Sequence, residues 1–79
     1  MNIGVLYVRG RRTGSERAVR LRFSVEADGS LLISAGGLHE QWPVNLRANP
    51  ACRFEMDGGA QSYRAVEQAA GRFRLMPVT

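Results

Sequence analysis

With 79 residues, one cysteine and one histidine, the chain is a single domain burying roughly 60% of its unfolded surface, with no internal disulfide and no zinc site from Cys and His alone. The net charge is +4 and all eleven basic residues are arginine, which points to an acidic partner: nucleic acid, an anionic membrane surface or an anionic small molecule. No apolar run approaches the ~20 residues of a membrane span and the N-terminus lacks a signal-peptide pattern, so a cytoplasmic location is expected.

Ile3 to Val8 is a short apolar run with β-branched and aromatic residues, the pattern of a strand. GRRTG (Gly10–Gly14) cannot continue it and predicts a connecting loop. Val19 to Glu26 then alternates. Val19, Leu21, Phe23 and Val25 face one side; Arg20, Arg22, Ser24 and Glu26 face the other, as in a half-buried antiparallel strand. Asp28-Gly29 is a hairpin turn signal, and Leu31 to Ala35 returns as the partner strand. His39 to Ala48 is too polar for a strand. Pro43 suits the first turn of a short helix, and Asn49-Pro50 ends it. Cys52, Phe54 and Met56 alternate with Arg53, Glu55 and Asp57, the Asp57–Gly59 run makes another turn, and Gln61 to Glu67 returns. Beyond Glu67 two readings stand open: a helix beginning over Gln68–Arg74, or a short strand over Phe73–Val78. Antiparallel strands at this spacing predict a mainly β fold, a small barrel or strongly twisted sheet with one short helix between strands three and four.

Three clusters could carry chemistry. The glycines, threonine hydroxyl and two guanidiniums of GRRTG, with Arg17 just beyond, could cradle a phosphate; a solvated basic hairpin loop is the plain alternative. The small run Ser34-Ala35-Gly36-Gly37 could let a planar ring lie against the backbone, or could simply be a turn that needs glycine. Trp42 and Asn45, three apart, share a helix face and could stack on and hydrogen-bond a heteroaromatic ring, or could be a core tryptophan with a structural tie. His39 is either an acid–base group or a helix-start cap. No nucleophile–base relay or paired carboxylates stand out, so any catalysis is expected to reside in a cofactor.

The order strand, GRRTG, Arg17, strand, DG, strand, SAGG, HxxWxxNLRANP resembles the deazaflavin-dependent nitroreductase family from about Leu6 to Glu67. That resemblance implies an antiparallel split β-barrel spanning residues 1–79, without the family's N-terminal helix and its C-terminal helix and strand. It implies coenzyme F420, an 8-hydroxy-5-deazaflavin, with FMN as the second candidate. Carried over by position, Arg11, Arg12, Thr13, Gly14 and Arg17 would hold the coenzyme's phosphate and acidic tail. Ser34, Ala35, Gly36 and Gly37 would line the ring, and Gln41, Trp42 and Asn45 would contact the ring and its side chain. The chain departs from the family in having Glu40 and Arg20 where prolines are usual.

The activity implied is hydride transfer from reduced F420 to a quinone, nitro compound or activated alkene. A non-catalytic flavin-like or lipid-binding barrel is the alternative. Nucleic acid is not expected as a partner, because the strand faces lack the aromatic interleaving of single-strand binders. A domain this small, with uncovered sheet edges, predicts a homodimer, and a quinone substrate would add a peripheral membrane association.

Overall fold

The computed structural model describes residues 2–37 and 40–78; the sequence reading of His39 falls outside them. Six strands and one helix follow in chain order: β1 (Asn2–Arg9), β2 (Glu16–Val25), β3 (Leu31–Ser34), α1 (Trp42–Ala48), β4 (Ala51–Met56), β5 (Gly59–Ala69) and β6 (Arg72–Pro77). The strands close into an antiparallel barrel in the order β1-β2-β3-β6-β5-β4, with β4 returning to β1. Closure removes the uncovered sheet edges on which the sequence argument for a dimer rested.

Period-two alternation builds the interior. Leu6 and Val8 of β1, Leu21 of β2, Leu31 and Ile33 of β3, Cys52 and Phe54 of β4, Tyr63 and Ala65 of β5, and Phe73 and Leu75 of β6 are buried, joined by Trp42 and Leu46 from α1. Val25, placed on the inward face by alternation, is 55% exposed, because it lies at the end of β2 beside the turn. Phe54 fills the centre and meets the Phe23 ring edge-on at 5.0 Å. Its ring also lies against β1: a Cβ added at Gly4 would stand 2.3 Å from Phe54 Cε1 and 2.6 Å from the Glu55 carbonyl oxygen. Gly4 is therefore the gap through which the largest core ring reaches the β1 backbone.

The turns follow their sequence signals. Asp57 and Gly58, at φ 51° and 80°, form the two-residue link between β4 and β5 that suits strand twist. At the β2–β3 tip the Asp28 carboxylate accepts hydrogen bonds from Ser30 N and Oγ at 2.9 and 2.6 Å, and Arg74 Nη1 donates to Ser30 Oγ at 2.9 Å. That third donor links the hairpin to β6 and satisfies a serine that is fully buried.

The tail corrects one reading. Residues 68–74 begin no helix: β5 runs on to Ala69, with a bulge between Glu67 and Ala69, and turns into β6. Ile33 pairs with Phe73 and Leu31 with Leu75, so β6 is the strand that joins β3 to β5 and closes the ring. The alternative, a short strand over Phe73–Val78, matches β6 to within a residue.

Strand pairing is uneven around the ring. β1 and β2 pair at eight positions, from Asn2–Phe23 to Arg9–Glu16. β2 and β3 pair only at Ser24–Leu32 and Val25–Leu31. Below that short contact the rest of β2 is free of β3, and α1, which packs on β1 and β5, faces the space left open.

Candidate functional site

Residues of β2 from Arg17 to Ser24, from both faces of the strand, line three successive cavities. The first, about 340 Å³, is lined by Gly10, Arg11, Arg12, Arg17, Gln41 and Asn45. The second, about 310 Å³, shares Arg17, Gln41 and Asn45 with it and adds the apolar walls Val8, Val19 and Leu21, the edge of Trp42, and the polar Arg20 and Glu40. The third, about 530 Å³, lies further along β2, between Arg22, Phe23 and Ser24 on one side and Leu32, Ser34, Ala35, Gly36 and Arg72 on the other. Seven residue steps of strand lead from Arg17 to Ser24, which at ~3.3 Å each is about 23 Å. Taken along β2, the cavities run as a groove from an arginine-rich end through a largely apolar middle, which shares lining residues with the first, to a second arginine-flanked end linked to the middle by the Glu40–Gly36 hydrogen bond.

Local chain chemistry explains the first end. Gly14, at φ 74°, lets the β1–β2 loop fold back so that its N–H donates to the Gly10 carbonyl at 2.9 Å. Thr13 Oγ1 accepts from Ser15 N at 3.2 Å. Thr13 and Gly14 therefore shape the loop and do not line the cavity. Arg11 is tied to the helix: its Nη1 and backbone N–H donate to Asn45 Oδ1 at 2.8 and 3.1 Å, and its Nη2 donates to Gln41 Oε1 at 3.1 Å. These acceptors are neutral amides, so they orient the guanidinium without cancelling its charge. Arg12 and Arg17 pair with no carboxylate among the described residues, whereas Arg47, Arg53 and Arg74 each do. Three uncompensated guanidiniums on one cavity make a strong anion site.

The middle is set by α1. Pro43 occupies its first turn, with Gln41 as the N-cap. Trp42 is 3% exposed and packs against Phe73, ring centroids 5.7 Å apart, so the core alternative holds for most of the indole and only its edge reaches the groove. Its Nε1–H donates to Glu40 Oε2, while Glu40 Oε1 accepts the Gly36 N–H at 3.1 Å. One carboxylate thus bridges the helix and the small-residue turn. Asn45, 4% exposed, is the structural tie, made to the arginine loop.

The structure brings Arg11, Arg12, Arg17, Gln41 and Asn45 together around the first cavity and carries Trp42 into the second. It places Ser34, Ala35 and Gly36 on the third, next to Glu40 but apart from the arginine loop, and Gly37 lines none of these cavities. Sequence reading missed Glu40, the Val8–Val19–Leu21 wall, and Arg22 with Arg72. The outward-facing Arg20 and Arg22 of the alternating strand were the available signal; Arg72 is brought in only by barrel closure. Among the described residues no group of three His, Cys, Asp or Glu could hold a metal, and no helix is long and apolar enough to cross a membrane.

The sequence pattern of the F420H(2)-dependent quinone reductases matches residues 1–77. The chain belongs to that family. It is an F420H2-dependent oxidoreductase whose cofactor is coenzyme F420 and whose substrate is a small molecule. Among solved structures, one described as an F420-H2 dependent reductase (FDR-A) is 18% identical, with a TM-score of 0.73 over 94% of this chain and 93% of that one; this likeness bears on the six-stranded barrel. A search of curated proteins found no match. The donor set fits the cofactor: uncompensated guanidiniums for a phosphodiester and an acidic tail, and beside them an apolar slot for a planar ring.

Proposed function

We propose that reduced F420 lies along β2, with its phosphodiester and glutamate tail on Arg11, Arg12 and Arg17 and its deazaflavin ring in the apolar middle of the groove. Val8, Val19, Leu21 and the Trp42 edge would flank the ring, and the Gly36 turn, held by Glu40, would close its far side. Thr13 and Gly14 would contribute by shaping the arginine loop. The observation that carries this reading is the Arg11 guanidinium fixed by two neutral amides at the mouth of an apolar slot.

Bound F420H2 supplies the hydride. The chain's part is to bind, orient and exclude water. Arginine forks anchor the charged end, which places the ring, and the slot walls keep solvent from its face. No side chain is required as an obligatory base. The acceptor class proposed is a quinone or a nitro compound, reached in the cytoplasm or at a membrane surface that quinones occupy. A homodimer is proposed on the exposed apolar side chains Ile3, Val25 and Val78, each 55% exposed, which a second copy would cover; sedimentation at low micromolar concentration tests it.

The deciding experiment is a titration with oxidised F420, followed by ring fluorescence, on the wild type and on a variant carrying both Arg11→Ala and Arg12→Ala. Loss of charge-assisted bonds is expected to weaken binding by roughly 2–4 kcal/mol. Unchanged affinity in a folded double variant would remove the arginine loop from the site.

A further inference from the structure

We propose that the cavity between Arg22 and Arg72 is the acceptor subsite, and that it favours flat acceptors carrying a negative charge. The inference rests on the placement of the coenzyme argued above. The cavity, about 530 Å³, is of a size that takes small organic ligands. Phe23, Leu32 and Ala35 supply apolar surface for a planar ring, and Ser24 and Ser34 add hydroxyls. Arg22 comes from β2, and Arg72 from β6, where it is the cross-strand partner of Ser34. Neither arginine has a carboxylate partner among the described residues.

Position along the groove assigns the role. Hydride transfer needs reacting atoms about 3–3.5 Å apart, so the acceptor must adjoin the ring. Three cavities neighbour the middle slot. One, about 250 Å³, shares Arg20 with it but carries Glu55 and Asp57, whose carboxylates repel an anion. A second holds the arginine loop and is taken, in this placement, by the coenzyme's acidic tail. The third is this one, linked to the middle slot through the Glu40 carboxylate, which accepts the Gly36 N–H. Glu40 and the coenzyme phosphodiester repel an anion from the middle, while Arg22 and Arg72 attract it to the far end.

The same charges suit the reaction. A quinone acceptor takes up a hydrogen together with both electrons of a C–H bond of reduced F420 and so gains one negative charge. It then takes one proton, the second hydrogen given up by the reduced coenzyme, and leaves as the hydroquinone. Guanidiniums at the acceptor end stabilise the charge while it exists.

The test compares Arg22→Ala with Arg72→Ala in one variant against the wild type, using 1,4-naphthoquinone-2-sulfonate and uncharged menadione as acceptors. Arg64→Ala, an exposed arginine of β5 away from the groove, controls for net charge. The double variant is expected to lower kcat/KM for the sulfonate by about ten-fold or more, the scale of lost charge-assisted bonds. Menadione, which is uncharged when it binds and gains its charge only during the reaction, should lose clearly less than the sulfonate, and the F420 Kd should stay as it was, because the coenzyme does not use this pair. Calorimetry of the sulfonate with the F420-loaded protein gives a readout independent of turnover: saturable binding in the wild type, weakened in the double variant. Equal losses for both acceptors, an equal loss in Arg64→Ala, a weakened F420 Kd, or absence of saturable sulfonate binding to the loaded wild type would each overturn the proposal. Failure of F420 itself to bind the wild type would instead strike the coenzyme placement.

Discussion

The side-chain oxygen of Asn45 accepts two hydrogen bonds from Arg11, at 2.8 Å from Nη1 and 3.1 Å from the backbone N–H. The two residues come from different elements, the β1–β2 loop and α1, and the contact fixes both the loop backbone and the direction of the guanidinium. Neither terminus of the contact is a carboxylate, so the full positive charge remains available to a ligand.

Replacing Asn45 with Ala should therefore loosen the coenzyme without removing any charge that binds it. The expected loss of F420 affinity is about 1.5–3 kcal/mol, the range of hydrogen bonds to a charged group. Fluorescence titration against the wild type measures it. An unchanged Kd would show that Arg11 needs no orientation by the helix.

Coenzyme binding should weaken as salt rises if the exposed guanidiniums of Arg11, Arg12 and Arg17 hold it as proposed, because the Debye length shortens from about 10 Å at 0.1 M to about 3 Å at 1 M. Titrations across a potassium chloride series check this. The Arg11→Ala, Arg12→Ala variant should show a shallower slope, and an equal slope in the two proteins would count against the assignment.

Gly4→Ala should destabilise the fold without touching the groove. A methyl at that position meets Phe54 and the Glu55 carbonyl at distances below 3 Å, and Phe54 is fully buried. Overpacking of this kind costs typically 1–3 kcal/mol. Thermal melting gives the change. A melting temperature equal to the wild type's would mean that the Phe54 ring has room to move.

Stability should fall on the alkaline side. Burial pushes the Cys52 thiol up to about 11, while the unfolded chain leaves it near its ordinary value of 9.0. The folded state therefore holds the proton more tightly. The stabilisation is complete below the unfolded value and is lost as pH rises toward and through the folded one. Tyr7, raised mainly by its hydrogen bond to Glu55, and Tyr63, raised by burial, act in the same direction. Urea unfolding at pH 8, 9 and 10 should show the decline, and Cys52→Ala should flatten it. A slope unaltered by that substitution would place the titration elsewhere.

The strands β1 to β5 were legible because alternation in 19–25 and 52–56 and the Asp-Gly turns are local signals that tertiary packing reinforced. The tail was legible only as two open readings: Gln68 sits in a bulge and Ala69-Ala70-Gly71 carries no alternation, while Phe73 and Leu75 alternate with Arg72 and Arg74 over too few residues to exclude a helix, and pairing with Leu31 and Ile33 decides for the strand. The arginine loop and α1 were legible as separate clusters. That they touch, through Arg11 and Asn45, is a contact across 34 positions that no local spacing encodes. Glu40 reads as an ordinary polar loop residue until its two acceptors are seen to bridge Gly36 and Trp42. Arg72 comes within reach of Arg22 only because the ring closes.

The uneven fastening of that ring gives the barrel a seam. Eight paired positions lock β1 to β2, but only Ser24–Leu32 and Val25–Leu31 hold β2 to β3 and three positions hold β1 to β4, so local opening is expected first at the β2–β3 junction, where fewest hydrogen bonds must part. The groove runs along the same line. A ring placed there, as proposed, would lie against the shortest ladder of the barrel, so coenzyme binding is expected to slow amide exchange at β2–β3 more than along the eight-position β1–β2 ladder.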